Sequence, residues 1–179
     1  MTVLGVCPDC RGWSHLDGLV SLVSLENQLM TKTIHLVKYS YVADLVDCLD
    51  EVMGKKLGGC FGAGENYLLM PVPLHRRRYL KRGFNQSQLI GEALCRRFGF
   101  DIRNDILIRK INNKSQTKLL FDQRQKNVSG IFSVVKKPPR GKTIILVDDI
   151  CTTGATMQEC AEVLKAAGAE KVIGFALAG

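Results

Sequence analysis

The chain has 179 residues, of which 46% are hydrophobic and 23% are charged; this composition excludes a disordered or fibrous protein and fits one main globular domain. No apolar run approaches the roughly 20 residues of a membrane-spanning helix, and the first residues lack the basic start and small-residue cleavage site of a signal peptide, so we expect a cytoplasmic protein. The net charge of +8, from 25 basic and 17 acidic residues, favours an anionic partner such as a phosphorylated metabolite or a nucleic acid.

The first residues contain a cysteine pair, Cys7 and Cys10, with the spacing that binds a tetrahedral metal. The seven cysteines are otherwise scattered, which is not a disulfide framework. One pair supplies only two of the four ligands of a zinc site. Three explanations stay open: an upstream segment is missing, the site is vestigial, or distant cysteines, His15 or another subunit complete it. We predict a small N-terminal knuckle or hood segment, residues 1–30, and a main domain, residues 31–179.

The first half of the main domain shows helical and strand patterns in alternation. Apolar residues at three- and four-residue spacing predict helices over residues 27–39 and 42–53. Residues 67–73 form a short apolar run closed by prolines, which is typical of a buried strand followed by a turn. Asn85 is a suitable cap for the next helix, and Gly99 a suitable end.

The sequence pattern of the second half of the main domain predicts a strand, a loop, a helix and a further strand. Residues 131–135 are a plausible strand, and residues 143–147 are continuously apolar, as in a strand covered on both faces. A small-residue loop and an amphipathic helix that stops at Gly168 follow, and residues 171–177 form the next strand. This βαβ order predicts an α/β fold with a mostly parallel twisted sheet flanked by helices.

The loop after the apolar strand has the composition of a phosphate site. Residues 148–156 read Asp-Asp-Ile-Cys-Thr-Thr-Gly-Ala-Thr and precede a helix, whose free N–H groups suit an anion. Gly154 and Ala155 let a phosphate approach the backbone, and Thr152, Thr153 and Thr156 can donate hydrogen bonds. The acids Asp148 and Asp149 would repel a phosphate but suit a ribose diol or Mg²⁺. Together these residues describe a ribose 5-phosphate site; the alternative is an ordinary strand-to-helix turn.

The same segment resembles the signature of type I phosphoribosyltransferases, which use 5-phosphoribosyl-1-pyrophosphate (PRPP). The resemblance rests on Ile-Ile-Leu-Val-Asp-Asp-Ile-Cys-Thr-Thr-Gly-Ala-Thr, residues 144–156. It implies that Asp148 and Asp149 contact the ribose hydroxyls, that residues 152–156 hold the 5′-phosphate, and that Mg²⁺ accompanies the substrate. It also implies the type I phosphoribosyltransferase fold.

A narrower resemblance is to the ComF (competence protein F) and GntX branch of that family. It rests on Pro-Val-Pro-Leu-His-Arg-Arg-Arg at residues 71–78, on Lys-Arg-Gly-Phe-Asn-Gln-Ser at residues 81–87, and on Ser115-Gln-Thr, Arg124, Asn127-Val and Phe132 further on. This branch is associated with genes for DNA uptake and carbohydrate use rather than with a settled reaction, so the resemblance supplies no acceptor.

Two basic segments are candidates to surround the pyrophosphate of PRPP. The turn after residues 71–73 presents backbone N–H groups and positive charge, with Arg82 and Asn85 within possible reach; its residues are Leu74, His75, Arg76 and Arg77. The alternative is a solvated or nucleic-acid-facing patch. The polar residues 110–130 match the position of the mobile hood loop of type I enzymes, with Lys114, Ser115, Gln116 and Arg124 as contacts. The alternative is a merely disordered basic loop.

These patterns favour a Mg²⁺-dependent phosphoribosyltransferase that transfers phosphoribose to a nitrogenous acceptor and releases pyrophosphate. Asp148, Asp149 and Arg82 are its candidate catalytic residues. A second hypothesis is a PRPP- or nucleotide-binding regulator without turnover. A third is an accessory protein in DNA uptake, which binds single-stranded DNA or a helicase through residues 76–82 and 103–142. The acceptor base and the oligomeric state are not readable from the sequence.

Overall fold

The computed structural model describes residues 14–24, 57, 61, 66–111 and 130–179. Within them lie seven strands and three helices. The strands are β1 (Gly18–Val23), β2 (Tyr67–Pro71), β3 (Asp101–Ile102), β4 (Leu107–Arg109), β5 (Phe132–Val134), β6 (Thr143–Ile150) and β7 (Lys171–Ala178). The helices are α1 (Arg76–Arg82), α2 (Gln86–Phe98) and α3 (Ala155–Ala166).

Five of the strands form one parallel sheet in the order β1-β7-β6-β2-β3. The central strand is β6, and its residues Ile144 to Val147 have no exposed surface, which explains the continuous apolar run. Strands β6 and β7 are parallel neighbours joined through α3, so the predicted βαβ unit is confirmed. The predicted α/β fold is therefore confirmed, and the carboxyl ends of β2 and β6 lie side by side.

The sheet is covered by a helix on each face. One side of α2 packs on one face, around Leu69 and Ile145, and α3 packs on the other face, around Ile144 and Leu146. Asn85 caps α2 and Gly99 ends it, as predicted. No helix in these parts of the chain has both the length and the apolarity to cross a membrane.

The sheet extends further than the sequence indicated at two places. Strand β6 was predicted to end at Val147, but it continues to Ile150, because Asp148 and Ile150 still pair with β7. Residues 18–23 were assigned to an N-terminal segment outside the main domain, yet β1 pairs in parallel with β7 along the edge of the sheet. Its buried and half-buried residues alternate with a period of two, as in a strand that is covered more on one face than on the other. The proposed boundary at residue 30 lies outside the described residues.

Two further elements surround the carboxyl end of the sheet. The basic segment predicted as a turn is mostly the short helix α1, which buries none of its residues and so has no apolar period. It forms because the His75 side chain caps one end and Gly83, at a φ of 80°, closes the other. Strands β4 and β5 pair as an antiparallel hairpin that flanks residues 112–129 in the chain.

Candidate functional site

The two segments singled out in the sequence meet at the carboxyl ends of adjacent strands. Pro71 at the end of β2 is paired with Val147 of β6, and the N–H of Val72 donates to the Val147 carbonyl at 2.9 Å. The basic turn after β2 therefore starts beside the acids of β6. This is the edge of a parallel sheet at which α/β proteins bind ligands.

Asp148 is the centre of this site. Its Oδ1 accepts hydrogen bonds from the Ser87 hydroxyl and from the backbone N–H of Asp149, both at 2.9 Å. Burial raises the pKa of the Asp148 carboxyl to about 7, and repulsion from Asp149 adds to the rise. The two carboxyl groups thus share one environment in which hydroxyl donors or a cation would stabilise their charge. Ser87 was not predicted as a partner of Asp148, although it is the last residue of the motif at residues 81–87.

The loop after β6 forms a small cavity at the start of α3. The cavity has a volume of about 40 Å³ and is lined by Asp148 and residues 150–157. It is larger than the 10–15 Å³ that one water needs, so it can admit a compact polar group. Gly154 precedes α3 at a φ of 71°, where only glycine fits without strain, and provides no side-chain cap for the helix. The Thr153 hydroxyl oxygen accepts the Ala155 N–H at 3.4 Å, and the other free N–H groups of the first turn of α3 could serve the anion site that was predicted for residues 152–156.

The predicted pyrophosphate residues have different surroundings from one another. Arg76 and Arg77 are exposed on α1. The His75 Nδ1 accepts a hydrogen bond from the Arg77 N–H at 3.2 Å. This hydrogen bond caps α1 and uses both groups. Arg82 donates to Gln86 Oε1 at 3.1 Å. Hydrogen bonds within the chain thus hold part of the turn. They use the Arg77 N–H and one Arg82 nitrogen, so fewer donors are available to a pyrophosphate than predicted.

Asn85 has a structural role that the sequence did not indicate. It was predicted to reach the pyrophosphate and it lines the larger cleft described below, but it is mostly buried and both polar groups of its side chain form hydrogen bonds within the chain. Its Nδ2 donates to the Val72 carbonyl at 3.0 Å, and its Oδ1 accepts the Ser87 N–H at 3.2 Å. Asn85 therefore fastens the turn after β2 to the start of α2, where Ser87 meets Asp148.

Two arginines that were not assigned to the site belong to its electrostatic surroundings, and one of them, Arg109, lines the larger cleft described below. Burial lowers the pKa of Arg109 on β4, the charge of Arg78 lowers it further, and Asp148 and Glu159 partly offset this. Burial also lowers the pKa of Arg78, together with the charge of Arg82. The charge of Arg78 therefore acts on Arg109 and that of Arg82 on Arg78, and of these three arginines Arg109 is the one whose pKa responds to Asp148. Such a cluster is stabilised by a bound anion. No sequence signal identified Arg109, because the folding of the hairpin brings it to the site.

A larger cleft opens beside this cluster. It has a volume of about 410 Å³, and its walls come from the end of β2, from α1, from α2 and from β4. Leu74, Arg76 and Arg109 are among the residues that line it. Asp148 lines the small cavity, and Pro71, which pairs with Val147 directly before the acids, lines the cleft. A phosphate at one end of a ligand would suit the small cavity, and further negative charge would suit the cleft beside Arg109.

Some predicted residues lie outside the described residues. They are Cys7 and Cys10 of the zinc hypothesis and Lys114, Ser115, Gln116 and Arg124 of the hood loop. Their roles stay predictions. Among the described residues, no group of three or more His, Cys, Asp or Glu side chains could hold a metal ion. Asp148 and Asp149 still fit Mg²⁺, which is usually held by one or two carboxylates together with substrate phosphates and water.

Comparison with known proteins gives consistent matches. The phosphoribosyl transferase domain model matches residues 90–178, which include the acids and the loop. The competence protein ComFC of Bacillus subtilis is 31% identical over 98% of this chain and 73% of its own length. The competence protein F of Haemophilus influenzae is 33% identical over 62% of this chain, and the DNA utilization protein YhgH of Escherichia coli K12 is 34% identical over 58%. The matches to these two span 49% and 45% of their lengths.

Solved structures with similar folds are more distant in sequence. A hypoxanthine phosphoribosyltransferase from Staphylococcus aureus is 14% identical, with a TM-score of 0.45 over 73% of this chain and 61% of that chain. The allosteric regulatory enzyme of purine biosynthesis is 19% identical, with a TM-score of 0.44 over 72% of this chain and 24% of that chain.

Proposed function

Because the chain belongs to the ComF-like branch of the type I phosphoribosyltransferase family, we propose that it binds PRPP with Mg²⁺ and transfers the phosphoribosyl group to a nitrogenous acceptor. One observation carries the proposal. A pair of acids, an uncapped helix start and a cluster of arginines meet at the ends of β6 and β2. They complement, in that order, a ribose diol, a 5′-phosphate and a pyrophosphate.

The residues around the site support this chemistry by binding and charge. In the reaction the bond from C1 to the pyrophosphate oxygen breaks, a bond from the acceptor nitrogen to C1 forms, and the nitrogen releases its proton. Negative charge grows on the leaving pyrophosphate, so fixed cations near it favour the transition state. Arg78, Arg82 and Arg109, which influence one another through their charges, are our candidates to supply that charge. Mg²⁺, when bound, would neutralise further charge on the pyrophosphate.

Titration calorimetry with PRPP and Mg²⁺ tests the proposal. We expect one binding site per chain, and weaker binding of ribose 5-phosphate, which lacks the pyrophosphate. Absence of heat at millimolar PRPP would reject the proposal. If PRPP binds, release of pyrophosphate across a panel of nitrogenous bases distinguishes a transferase from a regulator that binds PRPP without turnover.

Substitution of Ser87 by alanine is expected to move PRPP binding toward higher pH. The Ser87 hydroxyl donates to Asp148 and thereby stabilises its ionised form, so its loss raises the pKa of Asp148 further. A hydrogen bond to a charged group is worth about 1.5 kcal/mol or more, so affinity at pH 7 should fall roughly tenfold. Calorimetry from pH 6 to 9 checks this. Affinity should recover near pH 9 and in Ser87→Thr, and a loss that is independent of pH would contradict the role given to Ser87.

A second candidate function is binding of single-stranded DNA, and the surface of α1 favours it. The relatives named for competence and DNA utilization suggest this partner. Arg76, Arg77 and Lys81 are exposed along α1, which buries no residue against the rest of the chain. Such a basic surface suits a phosphate backbone.

Neutralising the α1 surface should reduce the salt dependence of DNA binding. If Arg76, Arg77 and Lys81 each contact one phosphate, their change to glutamine should lower the slope of log affinity against log salt by about 2, at roughly 0.7 per phosphate. Fluorescence anisotropy with a labelled single strand measures the slope. Arg96, Arg97 and Lys171, changed in the same way, are the matched control at the other end of the sheet. Equal slopes in both variants would exclude α1 as the DNA surface.

A further inference from the structure

A buried carboxylate on α3 connects the phosphate loop to the β4–β5 hairpin. Glu159 lies five residues after Gly154 and is 6% exposed. Its Oε1 accepts the backbone N–H groups of Ile131 and Phe132, the latter at 3.2 Å, where β5 begins. Its Oε2 is buried and has no hydrogen-bond partner among the described residues. A carboxylate in such surroundings is costly, so its position calls for an explanation.

The hairpin that Glu159 holds carries one of the arginines of the site. The Arg109 guanidinium lies over the Phe132 ring, 5.4 Å from the ring centre, and its Nε donates to the Ile111 carbonyl at 3.2 Å. Arg109 is paired with Phe132 across the hairpin. A shift of β5 would therefore carry Arg109 with it. The charges of Asp148 and Glu159 both act on Arg109 as well, and each raises its pKa.

From this chain of contacts we infer that Glu159 is a positioning residue, which holds the hairpin so that Arg109 faces the pyrophosphate of bound PRPP. The inference rests on the proposed function. It adds a direct link between the helix that receives the 5′-phosphate and the cation that receives the pyrophosphate. The two ends of PRPP are thus held by elements that share one buried anchor.

A comparison of two ligands separates positioning from general damage to the fold. Glu159→Ala should weaken PRPP binding about tenfold, whereas ribose 5-phosphate, which has no pyrophosphate, should bind within about twofold of the original chain. Arg109→Ala should give the same pattern. Glu159→Gln keeps an oxygen that accepts both N–H groups, so it should retain most of the PRPP affinity.

The combination of the two changes is the decisive measurement. If Glu159 acts through Arg109, Glu159→Ala with Arg109→Ala should bind PRPP no more weakly than either single variant. A loss of roughly 100-fold, as independent effects would give, overturns the inference. So does an equal loss for both ligands in Glu159→Ala, which would indicate a purely structural role.

A milder variant covers the case in which Glu159→Ala does not fold. Phe132→Leu keeps an apolar side chain in the core and removes the ring beneath Arg109, so PRPP affinity should fall by about threefold with ribose 5-phosphate unaffected. Unchanged PRPP binding in Phe132→Leu, or in a folded Glu159→Ala, would defeat the inference and leave the proposed function standing. Failure of the unmodified chain to bind PRPP would defeat the proposed function first, and this result is distinguishable from the others.

Discussion

Replacing Asp148 and Asp149 together by asparagine is expected to weaken PRPP binding in the presence of Mg²⁺ by roughly 100-fold or more. Each change removes an ionised acceptor from the ribose diol or from the metal, and a hydrogen bond to a charged group contributes about 1.5–3 kcal/mol. The sum of about 3 kcal/mol or more corresponds to two decades in affinity. Titration calorimetry at pH 8, above the raised pKa of Asp148, measures the effect.

The matched control removes the same charge from the opposite end of the sheet. Asp101 and Glu170 are exposed acids at the starts of β3 and β7. Asp101→Asn with Glu170→Gln changes the net charge equally and should leave PRPP affinity within about twofold, since exposed charges at this distance are largely screened. If PRPP binding survives the change of Asp148 and Asp149, the ribose site has been placed wrongly. An equal loss of PRPP affinity in the control would show that the overall charge of the protein, and not these two acids, causes the effect.

The parts of the fold that sequence predicted are those with local causes. The unit of β6, α3 and β7 follows from a continuous apolar run, a loop of small residues and an amphipathic helix, and none of these signals depends on distant parts of the chain. The helix start at Asn85 and its end at Gly99 follow equally from the chemistry of single residues. The end of β6 was not predicted, because pairing with β7 extends the strand through Asp148 and Asp149, which have no strand preference of their own.

The features that sequence missed arise from contacts between distant segments. Ser87 meets Asp148 across 61 positions of the chain, and Glu159 meets Phe132 across 27. Arg109 gave no signal because a single arginine on a three-residue strand resembles any surface arginine. Asn85 was assigned to the ligand because its motif is specific, but a specific motif can equally serve to shape a turn. Its two hydrogen bonds within the chain indicate that it shapes the turn.

The raised pKa of Asp148 predicts that the single change Asp148→Asn stabilises the ligand-free protein while it harms binding. The folded-state pKa of about 7 lies above the ordinary value of 3.8, so the folded protein binds the proton more tightly than the unfolded chain. The stability from that proton is fully present below pH 4 and is lost as the pH rises through the folded pKa. At neutral and higher pH the original chain therefore holds a destabilising charge that asparagine removes. Asparagine keeps an oxygen for the Ser87 and Asp149 donors.

The gain for Asp148→Asn should be about 2 kcal/mol at pH 8. One pKa unit is worth about 1.4 kcal/mol, and this gain corresponds to about half of the difference between the folded-state pKa and the ordinary pKa of Asp148. For a chain of this size this corresponds to a rise in Tm of roughly 4–8 °C. Thermal unfolding from pH 4 to 8 should show the two proteins alike at the acid end and diverging as the pH rises.

A control of opposite sign is available at Asp105. Hydrogen bonds from Arg103 and Lys136 hold the pKa of this exposed carboxyl well below its usual range, so its stabilising charge is present at neutral pH and is lost as the pH falls. Asp105→Asn should therefore lose a little stability at pH 8 and match the original chain in acid. If Asp148→Asn were instead less stable at every pH, the acid would be a structural residue. A gain in stability together with loss of PRPP binding would place Asp148 among residues kept for a ligand at the expense of the fold.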